Sequence, residues 1–279
     1  MEELEIEIPG FEIAGLAWGG EGERPVLAMH GWLDNAATMA RVAPRLEGYR
    51  VVSIDFPGHG KSSHRPVGQA YHFVDLIPSI FDVANALGWE RFSILAHSMG
   101  AAASLLAAGA RPERIGRMFL IDGLGPWTNA PEEAPEVLAR GLEERETLLE
   151  KSNRRFESDQ EALGVIAGLY GLTEEEARPL VERGLVRAED GSVHFSYDLM
   201  LRGKSLVRFT EKQVMAFLER IEAPTRLIRP SDGWPIDEEM AQRRIDAVST
   251  LEVVEVEGGH HVHLEAPGRI AESAREFLG

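Results

Sequence analysis

Five consecutive residues, Ala96-His97-Ser98-Met99-Gly100, set one hydroxyl between small neighbours where an apolar run gives way to a run of alanines. A serine on so tight a strand-to-helix turn stands exposed, and the helix that starts beside it directs backbone N–H groups towards any anion forming there. The pattern is G-x-S-x-G with alanine in the first glycine position. Ser98 is therefore a candidate nucleophile for acyl transfer. Taken alone, the same residues would also describe an ordinary serine helix cap.

A serine nucleophile needs a base, a group to orient that base, and donors for an oxyanion. Gly258-Gly259-His260-His261-Val262-His263 offers the base. His260 follows a glycine pair that permits a tight, exposed turn, and a neutral imidazole accepts a proton near pH 7. His261 and His263 are expected to be structural. A His-x-His pair could also ligate zinc, but the expectation is that no metal or organic cofactor is needed. Two carboxylates could hold the second imidazole nitrogen: Asp122, at the end of the run Met118–Ile121, and Asp232, just beyond Arg226–Ile228. Both preserve the order Ser…Asp…His. Asp122 is placed ahead, Asp232 stays open, and Asp237 reads as a helix cap. The backbone N–H groups of Met99 and Trp32 are the expected oxyanion donors, by position after the nucleophile and after the run Val26–Met29. His30, Gly31 and His97 flank these donors and are expected to line the substrate. Gly60-Lys61-Ser62 imitates the end of a phosphate-binding loop, but Asp55 stands where that motif requires glycine.

These groups can meet only if the elements between them deliver them to one edge. Short apolar runs bounded by turn residues read as buried parallel strands: 26–29, 50–54, 92–96, 118–121, 226–228 and 251–256. Residues 4–8 and 11–18 alternate around Pro9-Gly10 and predict an antiparallel hairpin. Helices are expected at 75–87, 99–109, 211–221, 238–248 and 267–278. From 126 to 209 the rhythm breaks, with no strand alternation beyond a short stretch at 192–197. Amphipathic stretches at 136–151 and 160–170, a capping box at Thr173-x-x-Glu176 and a kink after Pro179 predict a helical insertion after the sixth strand. The expected organisation is a core of 1–125 and 210–279 with a cap of 126–209. The cap leaves from a carboxyl strand end, where ligands of open α/β sheets bind.

Composition excludes several alternatives. The 279 residues are 44% hydrophobic and 27% charged, enough for a buried core in one large α/β domain. A net charge of −17 disfavours nucleic-acid partners. The absence of cysteine removes disulfides and thiolate chemistry. No apolar run reaches a membrane span, and the acidic start Met1-Glu2-Glu3 is unlike a secretion signal, so a cytoplasmic protein without a membrane partner is expected.

In combination, the strand leading to His30-Gly31, Asp55-x-x-Gly58-x-Gly60-x-Ser62, the serine turn and Gly259-His260 resemble the α/β-hydrolase fold superfamily over nearly the whole chain. Within it, His30-Gly31-Trp32-Leu33-Asp34-Asn35-Ala36, the stretch Leu87-Gly88-Trp89-Glu90-Arg91-Phe92 and His261-Val262-His263 are similar to the serine hydrolase-like proteins. The resemblance implies hydrolysis through a serine acyl-enzyme on a substrate that the group does not define, and a small-molecule acyl ester is the substrate expected here. Thioesters, lactones and carbon–carbon bonds beside ketones are open to the same chemistry, and a non-catalytic binding protein could use the same scaffold. Gly233 stands about where many relatives carry the aspartate, whereas others place it at the end of the preceding strand, as Asp122 would be. Serine at the nucleophile position is unlike the aspartate of dehalogenases and epoxide hydrolases.

Overall fold

The computed structural model describes residues Met1–Gly279. The chain opens with the expected hairpin, β1 (Glu2–Ile8) and β2 (Phe11–Trp18), turned at Gly10. β3 (Arg24–Met29), β4 (Tyr49–Ile54), α1 (Leu76–Ala86), β5 (Phe92–His97), α2 (Met99–Ala110) and β6 (Ile115–Ile121) follow. These eight elements fall where the apolar runs and amphipathic stretches predict them, with ends moved by a few residues. Strand alternation therefore held as a guide wherever one sheet face had to be buried.

Next comes an insertion. It contains α3 (Ala134–Leu149), β7 (Arg155–Phe156), α4 (Asp159–Tyr170), α5 (Glu174–Gly184), β8 (Leu185–Arg187) and β9 (Val193–Phe195). The core resumes with α6 (Glu211–Leu218), β10 (Thr225–Asp232), α7 (Glu238–Ala247), β11 (Leu251–Gly259), a single turn α8 (Val262–Glu265) and α9 (Pro267–Leu278). The capping boxes at Thr173 and Thr210 form as read, and Asp237 caps α7 by accepting from the Met240 N–H. No helix is long and apolar enough to cross a membrane.

The main sheet runs β1-β2-β4-β3-β5-β6-β10-β11. The first two pairings are antiparallel and the other five parallel. Helices α1, α2, α6 and α7 cover one face through one large apolar cluster, and α9 with the 36–46 segment covers the other. Because β3, β5, β6, β10 and β11 are parallel, their carboxyl ends open together, and Gly31, Ser98, Asp122, Asp232 and His260 all lie at or just beyond that edge.

The insertion holds more strand than the sequence reading expects: β9 falls in the short alternating stretch 192–197, and β7 and β8 pair with it in a separate antiparallel sheet. Pro179 lies inside α5, which runs on to Gly184. The carbonyl that loses its partner belongs to Glu175, an exposed residue whose backbone can turn to water. The insertion has its own small apolar cluster, which Leu264 of α8 enters from the core side. Its neck is pinned at both strands of the connection. The Asn129 N–H donates to the Phe209 carbonyl, and the buried Arg244 guanidinium donates to the carbonyls of Leu124 and Pro126 and to the Glu211 carboxylate.

Candidate active site

The nucleophile turn is strained where the sequence suggests it should be. Ser98 has φ 50° and ψ −113°, outside the regions favoured by L-residues. Its N–H donates to the Ile121 carbonyl and its own carbonyl accepts from Ala102, so both neighbouring elements hold the turn in place. Gly100 is required by close approach: a Cβ there would lie 2.8 Å from the His30 carbonyl oxygen and from Met29 Cβ. The Gly100 N–H donates to that same carbonyl, joining the start of α2 to the end of β3. Only three non-glycine residues in the chain have positive φ: Leu33, Ser98 and Asp122. All three lie at this edge.

His260 Nε2 stands 3.0 Å from Ser98 Oγ, and His260 Nδ1 stands 2.5 Å from Asp122 Oδ2. Asp122 adopts φ 46°, a conformation aspartate tolerates better than most side chains. The Trp234 N–H donates at 2.7 Å to Asp122 Oδ2, the same oxygen that faces His260, and so fixes the carboxylate. Gly259 in turn donates to the Glu265 carboxylate, which pins the loop carrying His260. Asp232 is exposed, lies in register with Gly259 on the neighbouring strand, and makes no hydrogen bond to His260. Gly233 explains why only one carboxylate fits. A Cβ at 233 would sit 2.7 Å from Asp122 Oδ2. A side chain there and the Asp122 carboxylate compete for one volume.

The N–H groups of Met99 and Trp32 donate to no acceptor in the protein. The turn that presents Trp32 is closed by the Asp34 N–H donating to the Gly31 carbonyl. Trp32 is half exposed at 50%, yet its indole is tethered to the insertion by donation to the Leu201 carbonyl. The mouth of the site is thus flanked by Trp32 on one side and by Trp234, which packs 5.3 Å from His260, on the other.

His30, Gly31 and His97, expected to line the substrate, do not. All three are buried. His30 Nε2 accepts from the Phe56 N–H, so its proton lies on Nδ1 and goes to the Gly31 carbonyl. His97 Nε2 donates to the His260 carbonyl at 2.9 Å, supporting the base from beneath. Burial pushes both imidazoles down to about 4, which keeps them neutral near pH 7. Their roles are in the framework because β3 and β5 are interior strands and their last side chains point into packed space.

His261 and His263 are buried and are not a ligand pair. His263 Nε2 is engaged with Thr38 Oγ1 at 2.7 Å, whereas His261 stacks on Tyr170 and faces Asp34. Asp34, Tyr170 and Arg183 were not singled out in the sequence as site residues. Asp34 lies beneath the Gly31–Trp32 turn, and Tyr170 of α4 donates to its Oδ1 at 3.2 Å. Arg183 of α5 reaches the fully buried Asp55 with two nitrogens and also pairs with Glu3. The loop of Asp55 is therefore a dock for the insertion. No local pattern could have revealed it, since the partners are far apart in the chain.

The fold and site place the chain among known proteins. A model for the alpha/beta hydrolase fold matches residues 24–267. The chain is 32% identical to a serine hydrolase-like protein of Danio rerio, across 99% of this chain and 88% of that protein. It is 30% identical to serine hydrolase-like protein 2 of Homo sapiens, across 100% of this chain and 94% of that one. Among solved structures, a hypothetical protein of Pseudomonas aeruginosa superposes with TM-score 0.93 at 36% identity, covering 100% of this chain and 99% of the other. The thioesterase domain of the curacin biosynthetic pathway superposes with TM-score 0.84 at 25% identity, covering 100% and 98%. The chain belongs to the α/β-hydrolase fold family and, within it, to the serine hydrolase-like proteins.

Proposed function

We propose that the protein hydrolyses carboxylic esters of small molecules through a Ser98 acyl-enzyme. The observation that carries this reading is the unbroken relay Ser98–His260–Asp122, at 3.0 and 2.5 Å, on a strained turn. His260 takes the Ser98 proton as Oγ attacks the carbonyl carbon, and Asp122 stabilises the imidazolium that results. The developing oxyanion is received by the Met99 and Trp32 N–H groups, which have no competing acceptor in the protein. His260 returns the proton to the leaving alkoxide. Water, deprotonated by His260, then cleaves the acyl-enzyme. Every proton and charge in this cycle is handled by the chain itself, so no cofactor is invoked.

The insertion, 126–209, acts in this reading as a cap over the strand ends. It is docked by Arg183 on Asp55, Tyr170 on Asp34 and Trp32 on Leu201. The apolar faces of Trp32 and Trp234 at the mouth favour an acyl or alcohol group with apolar surface. A thioester is open to the same attack, and the similarity to a thioesterase domain supports including it. The test is a panel of aryl and alkyl esters of rising chain length, with matched thioesters, on the wild type and Ser98→Ala. The expected result is ester turnover that falls by about 10³-fold or more in the variant. Turnover that is equal in the two proteins would remove Ser98 from the reaction.

A further inference from the structure

Beneath the site, three buried side chains converge from separate elements: Asp34 after β3, His97 ending β5, and His261 after β11. Each offers one ligand atom, and the three atoms lie within 4.8 Å of one another. Asp34 Oδ2 is 3.6 Å from His97 Nδ1 and 3.4 Å from His261 Nε2. The side chains are 1–7% exposed. A neutral His97 has only one proton, and that proton is on Nε2, donated to the His260 carbonyl. Nδ1 therefore presents a bare lone pair to a carboxylate oxygen. Both Asp34 Oδ2 and His97 Nδ1 lack a hydrogen-bond partner. Two unpartnered acceptors facing each other in a buried space call for positive charge between them.

The surroundings match those of a metal site. Adjacent ligands in a tetrahedral zinc site are about 3.3 Å apart for bonds of about 2.0–2.1 Å; Asp34 Oδ2 stands close to that distance from both imidazoles, while His97 Nδ1 and His261 Nε2 lie within 4.8 Å of each other. His97 gives its other N–H to a backbone carbonyl, and Asp34 Oδ1 accepts from Tyr170, the outer contacts that orient ligating groups. Gly31 leaves the flank open: a Cβ there would sit 3.0 Å from His97 Nδ1 and 3.1 Å from Asp34 Oδ2. We infer that Asp34, His97 and His261 bind a divalent transition-metal ion of the zinc type, one hydrogen bond below the His260 backbone. Two imidazoles and one carboxylate favour zinc, cobalt or nickel over magnesium or calcium. This site is separate from the Ser98 relay and does not depend on the ester reading.

The test uses the full chain, freed of metal by chelator and dialysed. Titration with zinc chloride should show one equivalent bound and raise Tm by about 5–10 °C at free zinc near 100 times Kd. Cobalt(II) should give the visible absorption of a tetrahedral N/O site, and magnesium should do neither. His97→Gln and His261→Gln should each lower zinc affinity at least 10-fold. Circular dichroism of the metal-free variants checks that they fold, and His261→Gln, at the margin of the cluster, stands in if His97→Gln does not. No saturable equivalent, or zinc stabilisation equal in wild type and His261→Gln, would overturn the assignment.

Discussion

Replacing Asp122 by asparagine isolates the charge of the relay from its shape. The amide oxygen can occupy the position of Oδ2, still accepting from His260 Nδ1 and from the Trp234 N–H. What disappears is the negative charge that meets the imidazolium in the transition state. With charge centres about 4 Å apart and an effective dielectric near 20, that attraction is about 4 kcal/mol. It corresponds to roughly a 10³-fold fall in kcat. If the amide instead turns its NH₂ towards His260, the wrong tautomer is stabilised and the loss extends to about 10⁴-fold. The Asp122 carboxyl is only partly shielded, its side chain 11% exposed, so water could soften the loss to about 10²-fold. Asp232→Asn in the same assay should change kcat by less than about 3-fold, because that carboxylate is exposed and does not touch His260. Steady-state kinetics on one good ester decides the matter, with the double variant completing the cycle. An Asp122→Asn enzyme within 10-fold of wild type, beside a crippled Asp232→Asn, would refute the assignment of the acid.

Arg183→Ala should destabilise the fold by about 3–5 kcal/mol, since it strands the Asp55 carboxylate at 0% exposure with its charge uncompensated; urea unfolding showing a change below 1 kcal/mol would contradict that. Acid should weaken the protein through His30 and His59, which burial pushes down to about 4 and about 3. Because both folded values lie below the unfolded one of about 6.5, their contribution is complete above that pH and declines as protons bind the unfolded chain. By pH 5 the two together should cost about 4 kcal/mol, and unfolding there should take up at least two protons, with His97 and His263, also pushed down by burial, adding to the count. Uptake near zero would show that these imidazoles are not held neutral. Chelation by EDTA should leave ester hydrolysis intact, as the relay uses only side chains and backbone; activity lost to EDTA and restored by metal in His261→Gln as fully as in wild type would place an ion in the catalytic cycle.

Much of the fold was legible because interior parallel strands must be apolar on both faces and helices amphipathic on one. Buried apolar runs mark β3, β4, β5 and β6, and alternation marks the antiparallel hairpin of β1 and β2. The insertion was harder. Only the stretch around β9 shows a brief alternation, and β7 and β8 are too short to show a period. Ser98 and His260 were readable from their small neighbours. For the acid the sequence placed Asp122 ahead but left Asp232 open, because the deciding fact is spatial: Asp122 reaches His260 Nδ1 and the exposed Asp232 does not. His30 and His97 misled for a related reason. Their position beside the turns suggested contact with substrate, while His30 Nε2 accepts from the Phe56 N–H and His97 Nε2 donates to the His260 carbonyl, backbone groups that only the folded chain brings near. Asp34 and Arg183 carry no local pattern, since each acquires its role from partners over 60 residues away.

The most direct test is covalent. A serine that a neighbouring base has activated attacks the phosphorus of a fluorophosphonate and expels fluoride. Intact-mass measurement after brief exposure should show one phosphonyl group per chain, and peptide mapping should place it on Ser98. Ser98→Ala should take up none, and His260→Ala should label far more slowly. A wild-type protein that stays unlabelled under conditions that modify a control esterase, or labels on another residue, would contradict the claim that Ser98 is the nucleophile.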